Sequence, residues 1–533
     1  MLGALAAVVV AGGALRLHDV ERVGIRFDDE GAYVADARLW HRCALVLTDG
    51  RALRAAARGD KAALQGRMDA LGVDFITRYT KPSQGYTLLG ALAMFAVGDR
   101  PAALLVVNAV SGTLAVIMIY AIGATLFGRG VGVCAALFLA VSPYHVFYCR
   151  SALAEATAGL FVLIGLWLWI VGVQRSWPLR RTYGLAGIAL GYAVTCHYRY
   201  VFVPGVVMLA EVLMSLRGGT AGVARWAWLR RSVRGWLWLA CGVAAPAVMI
   251  ELVFLVARLV AWLSDSFLPL ETYFQATWTW LSMVLSTSAI DTARHPVSPI
   301  ENTATYVGYF VHWHGAAGAV LTLLGVGVAV RARGIGRVPA LVVLVTVSLV
   351  VLQPDTVARA LAVAVPSLCV CAAVGAAWIV RSCGLGHRGK AVVAGAVALV
   401  FVAPSLTRAH ELTRHRSSIA DACAFAAARG PAVIAEPLAT YHRSKYWLYL
   451  EGSGVDIVSG RFDRWGTPET VVSRLRSAGV RWVICDPQRW HYRDTPPGAR
   501  NRLFRWCEGM EGYLERNASL AAEFPHLLDD CWT

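Results

Sequence analysis

The sequence predicts a polytopic α-helical membrane domain followed by a soluble α/β domain. Hydrophobic residues make up 57% of the 533 residues and charged residues only 16%, and the mean hydropathy is +0.54. Apolar runs long enough to cross a bilayer recur over residues 1–407, whereas ordinary charge density returns over residues 408–533. We therefore divide the chain into a membrane domain, 1–407, and a C-terminal domain, 408–533.

Eleven apolar runs are predicted to cross the membrane as helices, because about 20 apolar residues span the hydrocarbon core. We prefer a transmembrane helix to a signal peptide for the first run, since it lacks a basic start and a small-residue cleavage site. Residues 86–97 are too short for a crossing and are predicted to be interfacial or re-entrant. The predicted spans are 2–17, 102–126, 131–148, 152–173, 183–197, 200–216, 236–263, 304–330, 338–352, 357–380 and 391–406.

Five short connections between these spans are strongly basic. Together they carry 15 Lys or Arg and no Asp or Glu. Short cytoplasmic loops retain basic residues, so these five connections are predicted to face the cytoplasm. Loops 18–85 and 264–303 and the C-terminal domain are then predicted to face outside. The formal net charge of +16 is mostly explained by these loops, which argues against nucleic-acid binding. The five connections are 127–130, 174–182, 217–235, 331–337 and 381–390.

The remaining polar clusters of the membrane domain fall at the predicted outer end. Three interpretations are open: solvated loop residues, a transport pathway or a catalytic site. Ionisable residues at membrane depth mark function by default, but those at helix ends also reach the interface at little cost. The clusters contain Asp28, Asp29, Glu30, Arg150, Glu155, His197, Arg199, Asp355 and Arg359.

Four short motifs follow one another along this part of the chain. They are Asp29-Glu30-Gly31-Ala32-Tyr33, then Lys81-Pro82-Ser83-Gln84-Gly85-Tyr86, then Ser142-Pro143 followed by Arg150 and Glu155, and finally Arg359 with Pro366. Their order resembles the C-type (GT-C) fold of membrane glycosyltransferases that use polyprenyl-phosphate-linked sugars. The relatives are the protein O-mannosyltransferases, the aminoarabinose transferase of lipid A and the dolichyl-phosphate-mannose-protein mannosyltransferase-like proteins.

The resemblance extends over roughly residues 15–380 and implies a bundle of about 11–13 transmembrane helices. The chain departs from the family pattern at Ser83, where the family has a second proline, and at Ala360, where the family has a tyrosine. Both departures concern the expected contacts to the lipid phosphate.

The resemblance also implies roles for the polar residues. The first-loop acid takes the proton of the acceptor hydroxyl, which implies Asp29 as the general base, with Glu30 as the alternative. Cations hold the leaving phosphate, a task that suits the planar fork of arginine, and the candidates are Lys81, Arg199 and Arg359. Displacement with one base predicts inversion at the anomeric carbon. Other predicted substrate-binding residues are Asp28, Tyr33, Arg150, Glu155 and His197.

No metal or other cofactor is predicted. His312 and His314 are two residues apart, so they point to different faces of a helix, and no further ligands are spaced around them. A divalent cation at Asp28, Asp29 and Glu155 is the alternative. The predicted partners are a polyprenyl-phosphate sugar donor, a glycan, lipid or protein acceptor, and the membrane. The rival function is a transporter or flippase of envelope lipids, although the sequence shows no internal repeat typical of transporters.

The C-terminal domain is predicted to hold a parallel sheet, because three short apolar strands alternate with helical stretches. No glycine-rich phosphate loop accompanies them, so we predict a role in acceptor docking or in shielding the outer site. Loop 264–303 is predicted to be either a lid or an interfacial segment. The cysteines of this domain allow three disulfide pairings, and the sequence does not choose among them: Cys423, Cys485, Cys507 and Cys531.

Overall fold

The membrane domain is a bundle of helices. A computed structural model of the chain describes residues 2–71, 73, 83–216, 222–263, 272–279, 282, 298–352, 358–436, 447–450, 453–459, 466–483, 510, 513–514 and 516. The helices of the first half are α1 (Leu2–Leu17), α2 (Asp28–Thr48), α3 (Gly50–Ala57), α4 (Lys61–Ala70), α5 (Gln84–Val97), α6 (Ala102–Phe127), α7 (Arg129–Val141), α8 (Pro143–Cys149), α9 (Glu155–Gln174), α10 (Leu179–Cys196), α11 (Val203–Leu216) and α12 (Gly222–Leu263).

The second half continues the bundle and then enters the C-terminal domain. Short 3-10 turns at Val20–Arg22, Tyr198–Phe202, Gly334–Arg337 and Ala358–Val363 connect helices of the membrane domain. The remaining elements are α13 (Pro299–Arg331), α14 (Val338–Val350), α15 (Val365–Ser382), α16 (His387–Leu412), α17 (Ile419–Ala427), β1 (Ala432–Glu436), α18 (Trp447–Leu450), β2 (Val455–Ser459), α19 (Pro468–Ser477) and β3 (Val480–Val483).

Eight helices within the described residues are long and apolar enough to cross a membrane, and a ninth span results if α7 and α8 are taken together. This pair is bent by 61°, at Ser142-Pro143, where proline opens α8. These nine segments match nine of the eleven predicted crossings. The other two correspond to α10, which is not among the eight, and to α14, which is shorter. The prediction that residues 86–97 are too short is confirmed by α5, with 14 residues.

The core of the bundle is formed by small and branched side chains on α6, α7, α9, α10 and α15. Its helices approach closely where glycines face one another. A Cβ on Gly325 of α13 would collide with the backbone carbonyl of Cys371, and one on Gly375 of α15 would lie 2.5 Å from the Leu321 carbonyl oxygen. Small residues at such crossings let membrane helices pack by backbone contact.

Gly325→Ala is therefore expected to lower the melting temperature of the purified protein. The added methyl group meets backbone, which cannot move aside, and overpacking of this kind costs about 1–3 kcal/mol or more. Thermal unfolding in detergent measures the change. Gly327→Ala is the matched control on the same helix, because its Cβ would have only Arg331 Nη1 nearby, at 3.8 Å. Equal melting temperatures for the two variants would contradict this packing.

The predicted parallel sheet of the C-terminal domain is confirmed. Strand β1 lies in the middle and pairs in parallel with both β2 and β3. Helix α19 begins with Thr467 as N-cap and Pro468 in the first turn, and Gly479 follows it with φ +76°. The pairing of the four cysteines, which the sequence leaves open, is not tested, because Cys485, Cys507 and Cys531 lie outside the described residues.

The C-terminal domain contacts the loop that follows α1. The Ser417 N–H donates to the Val23 carbonyl oxygen at 2.7 Å, and the Ile25 N–H donates to the Tyr449 hydroxyl at 3.0 Å. Gly24, between these two contacts, has φ +69° and approaches Ser417 too closely for a side chain to fit easily. This docking point lies only three residues before α2, the helix that carries the first predicted acidic motif.

Candidate active site

Five parts of the chain bring polar side chains together at one end of the bundle. They are the first turns of α2, the residue before α5, the start of α9, the turn after α10 and the 3-10 turn before α15. Six of the predicted site residues lie at this end of the bundle: Asp29, Tyr33, Glu155, His197, Arg199 and Arg359.

An ion pair joins Asp29 to the other half of the membrane domain. Arg359 Nη1 donates to Asp29 Oδ2 at 2.8 Å, and the two side chains are 33% and 22% exposed. The 3-10 turn that carries Arg359 is held in place by the Tyr144 hydroxyl, which donates to the Ala358 carbonyl oxygen at 3.2 Å. Although burial acts to lower it, the pKa of Arg359 is raised by the Asp29 and Glu155 carboxylates, so the guanidinium stays charged.

Glu30 follows Asp29 directly in sequence but has a different environment. Its side chain is fully buried, and its carboxylate accepts three backbone N–H bonds: from Arg26 at 2.5 Å, from Phe27 at 2.9 Å and from Ala152 at 2.8 Å. Phe27 is the N-cap of α2 and Glu30 its third residue, so Glu30 satisfies helix-terminal donors as an acidic residue at this position commonly does. This arrangement fixes where α2 begins and holds it against the turn before α9.

Glu30→Gln is expected to lower stability more than it changes any chemistry. An amide has one acceptor oxygen, so at least one of the buried N–H groups loses its partner, at about 1–3 kcal/mol. The melting temperature of the purified protein measures this loss. The exposed Glu21 provides the control, and Glu21→Gln should leave the melting temperature unchanged. A Glu30→Gln protein as stable as the wild type would contradict the capping role.

Glu155, His197 and Arg199 form a second polar cluster at the same end of the bundle. Glu155 is the first residue of α9 and is 4% exposed, and its Oε1 lies 3.7 Å from His197 Nε2. His197 Nδ1 accepts the Arg199 N–H at 3.3 Å, which leaves the proton of a neutral ring on Nε2, toward the carboxylate. Within the described residues, Glu155 Oε2 and Arg199 Nη1 are buried and have no hydrogen-bond partner.

Tyr33 lies one turn after Asp29 on the same helix and is 5% exposed. Its hydroxyl accepts from Ser83 Oγ at 3.4 Å, and its ring packs edge-to-face on Tyr86 at 5.5 Å. Burial first, and then the Asp29 and Glu155 charges, raise the pKa of Tyr33 well above its usual value. The phenol therefore remains a neutral hydroxyl at physiological pH.

Arg150 does not face the polar site. Its guanidinium donates to the carbonyl oxygens of Arg16 at 3.2 Å and His18 at 2.6 Å, at the end of α1, and to that of Thr413 at 3.1 Å, just after α16. Arg26 is also buried, and its guanidinium donates to the Arg150 carbonyl oxygen at 3.0 Å. These contacts hold the turn after α8 against the ends of α1 and α16, and the predicted contact of Arg150 with substrate stays a prediction. The backbone N–H of Arg26 also donates to the buried Glu30 carboxylate.

Two buried residues that support the site were missed by the motif analysis. Asn108 of α6 donates to the carbonyl oxygens of Ser151 and Leu153 and accepts from Thr157 Oγ1, and so holds the turn that leads into Glu155. Arg16 of α1 donates to the carbonyl oxygens of Leu139 and Ala140 at the bend between α7 and α8. Both residues interrupt apolar runs, and a polar side chain in such a run must find partners inside the bundle. A single polar residue within an apolar run is the sequence signal that points to both of them.

Several predicted elements of the site are not tested. Lys81, Asp355 and most of loop 264–303 lie outside the described residues, and the side chain of Asp28 is not described either. His314 Nδ1 lies 2.9 Å from Ser405 Oγ, and its ring stacks on Phe401. Among the described residues, no three His, Cys, Asp or Glu side chains lie close enough together to hold a metal ion.

The chain is similar to known membrane glycosyltransferases in sequence and in fold. Residues 81–233 match the dolichyl-phosphate-mannose-protein mannosyltransferase family. The oligosaccharyltransferase AglB of Archaeoglobus fulgidus, solved with an inhibitory peptide and a dolichol-phosphate, superposes with a TM-score of 0.59 at 12% identity, over 97% of this chain and 72% of AglB.

A second solved structure matches almost end to end. ArnT of Cupriavidus metallidurans, bound to undecaprenyl phosphate, superposes with a TM-score of 0.53 at 14% identity, over 99% of this chain and 96% of ArnT. No curated protein sequence matches the chain significantly. The chain is therefore a polytopic membrane protein with the GT-C fold, and residues 81–233 carry the sequence pattern of the dolichyl-phosphate-mannose-protein mannosyltransferase family.

Proposed function

We propose that the protein is an integral membrane glycosyltransferase that moves a sugar from a polyprenyl-phosphate donor to an acceptor hydroxyl on the extracytoplasmic face. The observation that carries the proposal is the convergence of Asp29, Glu155, Arg199 and Arg359 at one end of the bundle, opposite the basic loops. An acid and nearby arginines are the groups that this transfer requires. The family match and the lipid phosphates named for AglB and ArnT support the donor class.

The proposed reaction is a single displacement. Asp29 takes the proton of the acceptor hydroxyl while the acceptor oxygen bonds to the anomeric carbon. The bond from that carbon to the phosphate oxygen breaks, and polyprenyl phosphate leaves with the bonding electrons. Arg359 and Arg199 donate hydrogen bonds to the phosphate oxygens as negative charge develops there. Attack opposite the leaving group inverts the anomeric configuration.

The remaining site residues bind and shape the sugar pocket in this proposal. Glu155 and His197 lie buried side by side, and Tyr33 supplies a neutral hydroxyl close to Asp29. Together they offer both donors and acceptors to sugar hydroxyls. No step requires a metal ion, so activity should persist after treatment with a chelator.

The experiment is a donor panel. Purified protein in proteoliposomes is given labelled polyprenyl-phosphate monosaccharides, each with membrane extracts as the source of acceptor. Transfer of label from at least one donor into a new product is expected. The control is Asp36→Asn, which should retain this transfer. Asp36 is a buried carboxylate further along α2, and it accepts a hydrogen bond from Gln84. If no donor is used while labelled lipid crosses the bilayer intact, the protein is a transporter or flippase.

A further inference from the structure

The ion pair between Asp29 and Arg359 joins two groups that the proposed reaction uses separately. Arg359 Nη1 donates to Asp29 Oδ2 at 2.8 Å, so the proposed base is bound to the proposed phosphate ligand. A carboxylate oxygen that already accepts from a guanidinium is a poor acceptor for a further proton. The same contact holds Arg359 away from a phosphate.

We infer that the lipid phosphate of the donor competes with Asp29 for Arg359, and that donor binding is what releases Asp29 to act on the acceptor. The inference rests on the proposed function. It gives the protein an order of binding, in which the donor comes before deprotonation of the acceptor. It also protects the enzyme from activating an acceptor when no donor is present.

The surroundings of the pair make this exchange feasible. Both side chains are partly exposed, at 33% and 22%, so a phosphate can approach Arg359 without unfolding any element. The Arg359 turn is held by the Tyr144 hydroxyl bond to the Ala358 backbone, so the guanidinium can change partner while the turn stays in place. A phosphate accepts two parallel hydrogen bonds from a guanidinium, as a carboxylate does, and carries at least as much charge.

The charges nearby favour the exchange as well. Glu155 interacts electrostatically with Arg359, Arg199 and Asp29, and Arg199 Nη1 is buried without a hydrogen-bond partner among the described residues. Arg359 and Arg199 both act on the Glu155 carboxylate, and Arg199 keeps an N–H donor that an incoming phosphate can use. Asp29 would then keep its charge but lose its bond to Arg359, and so become the better proton acceptor.

The test is a double-mutant cycle on binding of a short-chain polyprenyl phosphate that carries no sugar. Protein in nanodiscs of zwitterionic lipid is titrated, and Kd is measured for wild type, Asp29→Asn, Arg359→Ala and the double variant. Competition predicts that Asp29→Asn binds the lipid phosphate about three- to tenfold more tightly than wild type. In the Arg359→Ala background the same change should have no effect, because no guanidinium remains to be released.

Two controls separate competition from simple repulsion and from loss of fold. Charge repulsion between Asp29 and phosphate would tighten binding equally in both backgrounds, and that result would overturn the inference, as would no tightening in either. Asp36→Asn, which removes the same charge elsewhere on α2, should leave Kd unchanged. Binding without coupling would overturn only this inference, whereas a wild type that binds no polyprenyl phosphate would overturn the proposed function with it.

Discussion

Asp29→Asn should abolish sugar transfer while leaving the protein folded. The amide keeps the size of the side chain but cannot take the acceptor proton, and loss of a general base costs about 10²–10⁴-fold in rate. Single-turnover transfer from a polyprenyl-phosphate sugar measures the rate constant of the transfer step directly. Donor binding should not weaken, because Arg359 loses a competing partner and remains available to the phosphate.

The comparison with Glu30 makes this prediction specific. Glu30 is adjacent in sequence but is buried in backbone contacts, so Glu30→Gln should reduce stability and keep transfer per folded molecule. Glu21→Gln, which changes an exposed carboxylate, should leave both the stability and the transfer rate nearly unchanged. If Asp29→Asn retains wild-type kcat, Asp29 is not the base and the displacement mechanism must use another group.

Arg359→Ala is expected to have the second largest effect. The variant removes a guanidinium from the leaving phosphate, and loss of one such charge contact costs about 2.7–4 kcal/mol, or 10²–10³-fold in kcat. It also frees Asp29 from its ion pair, but a freed base does not compensate when the leaving group is unsupported. Transfer rate and donor Kd should both worsen.

Arg359→Lys serves as the graded variant. Lysine keeps the positive charge but lacks the planar fork that donates two hydrogen bonds, so its transfer rate should fall between those of wild type and Arg359→Ala. Unchanged melting temperatures for both variants would exclude a fold defect. An equal loss of transfer rate in Arg359→Lys and Arg359→Ala would mean that the site depends on the planar fork of the guanidinium and not on its charge.

Most of the membrane bundle was predictable from the sequence, because a helix that crosses the hydrocarbon core must have about 20 mainly apolar residues. The exceptions have physical causes. The crossing predicted over 131–148 is bent, because Pro143 cannot continue α7. The apolar composition of 338–352 predicts a full span, but α14 has only 13 residues.

The site was predictable in part. Asp29, Glu155 and Arg359 were named from short motifs, but only the folded chain brings the 3-10 turn of Arg359 against the start of α2. Arg150 was named for the same reasons and has a different position, since its partners are backbone carbonyls contributed by α1 and by the residues after α16. Sequence motifs report which side chains are polar, whereas their partners depend on which helix ends meet.

Glu30 is a further residue whose partners depend on the folded chain, although here the partners are close in sequence. The sequence leaves Glu30 as an alternative to Asp29 for the base, and the two positions are distinguished only once the first residue of α2 is known. With the helix starting at Asp28, Glu30 reaches back to the N-cap and Asp29 points toward Arg359.

The central claim is that the protein breaks the bond between the sugar and the lipid phosphate. The most direct measurement follows a doubly labelled donor, with one label in the sugar and another in the polyprenyl chain, in proteoliposomes containing wild type or Asp29→Asn. We expect the wild type to release free polyprenyl phosphate in step with a new sugar-containing product of inverted configuration, and the Asp29→Asn protein to release neither. If both labels stay together and cross the bilayer equally well with either protein, the glycosyltransferase account is contradicted.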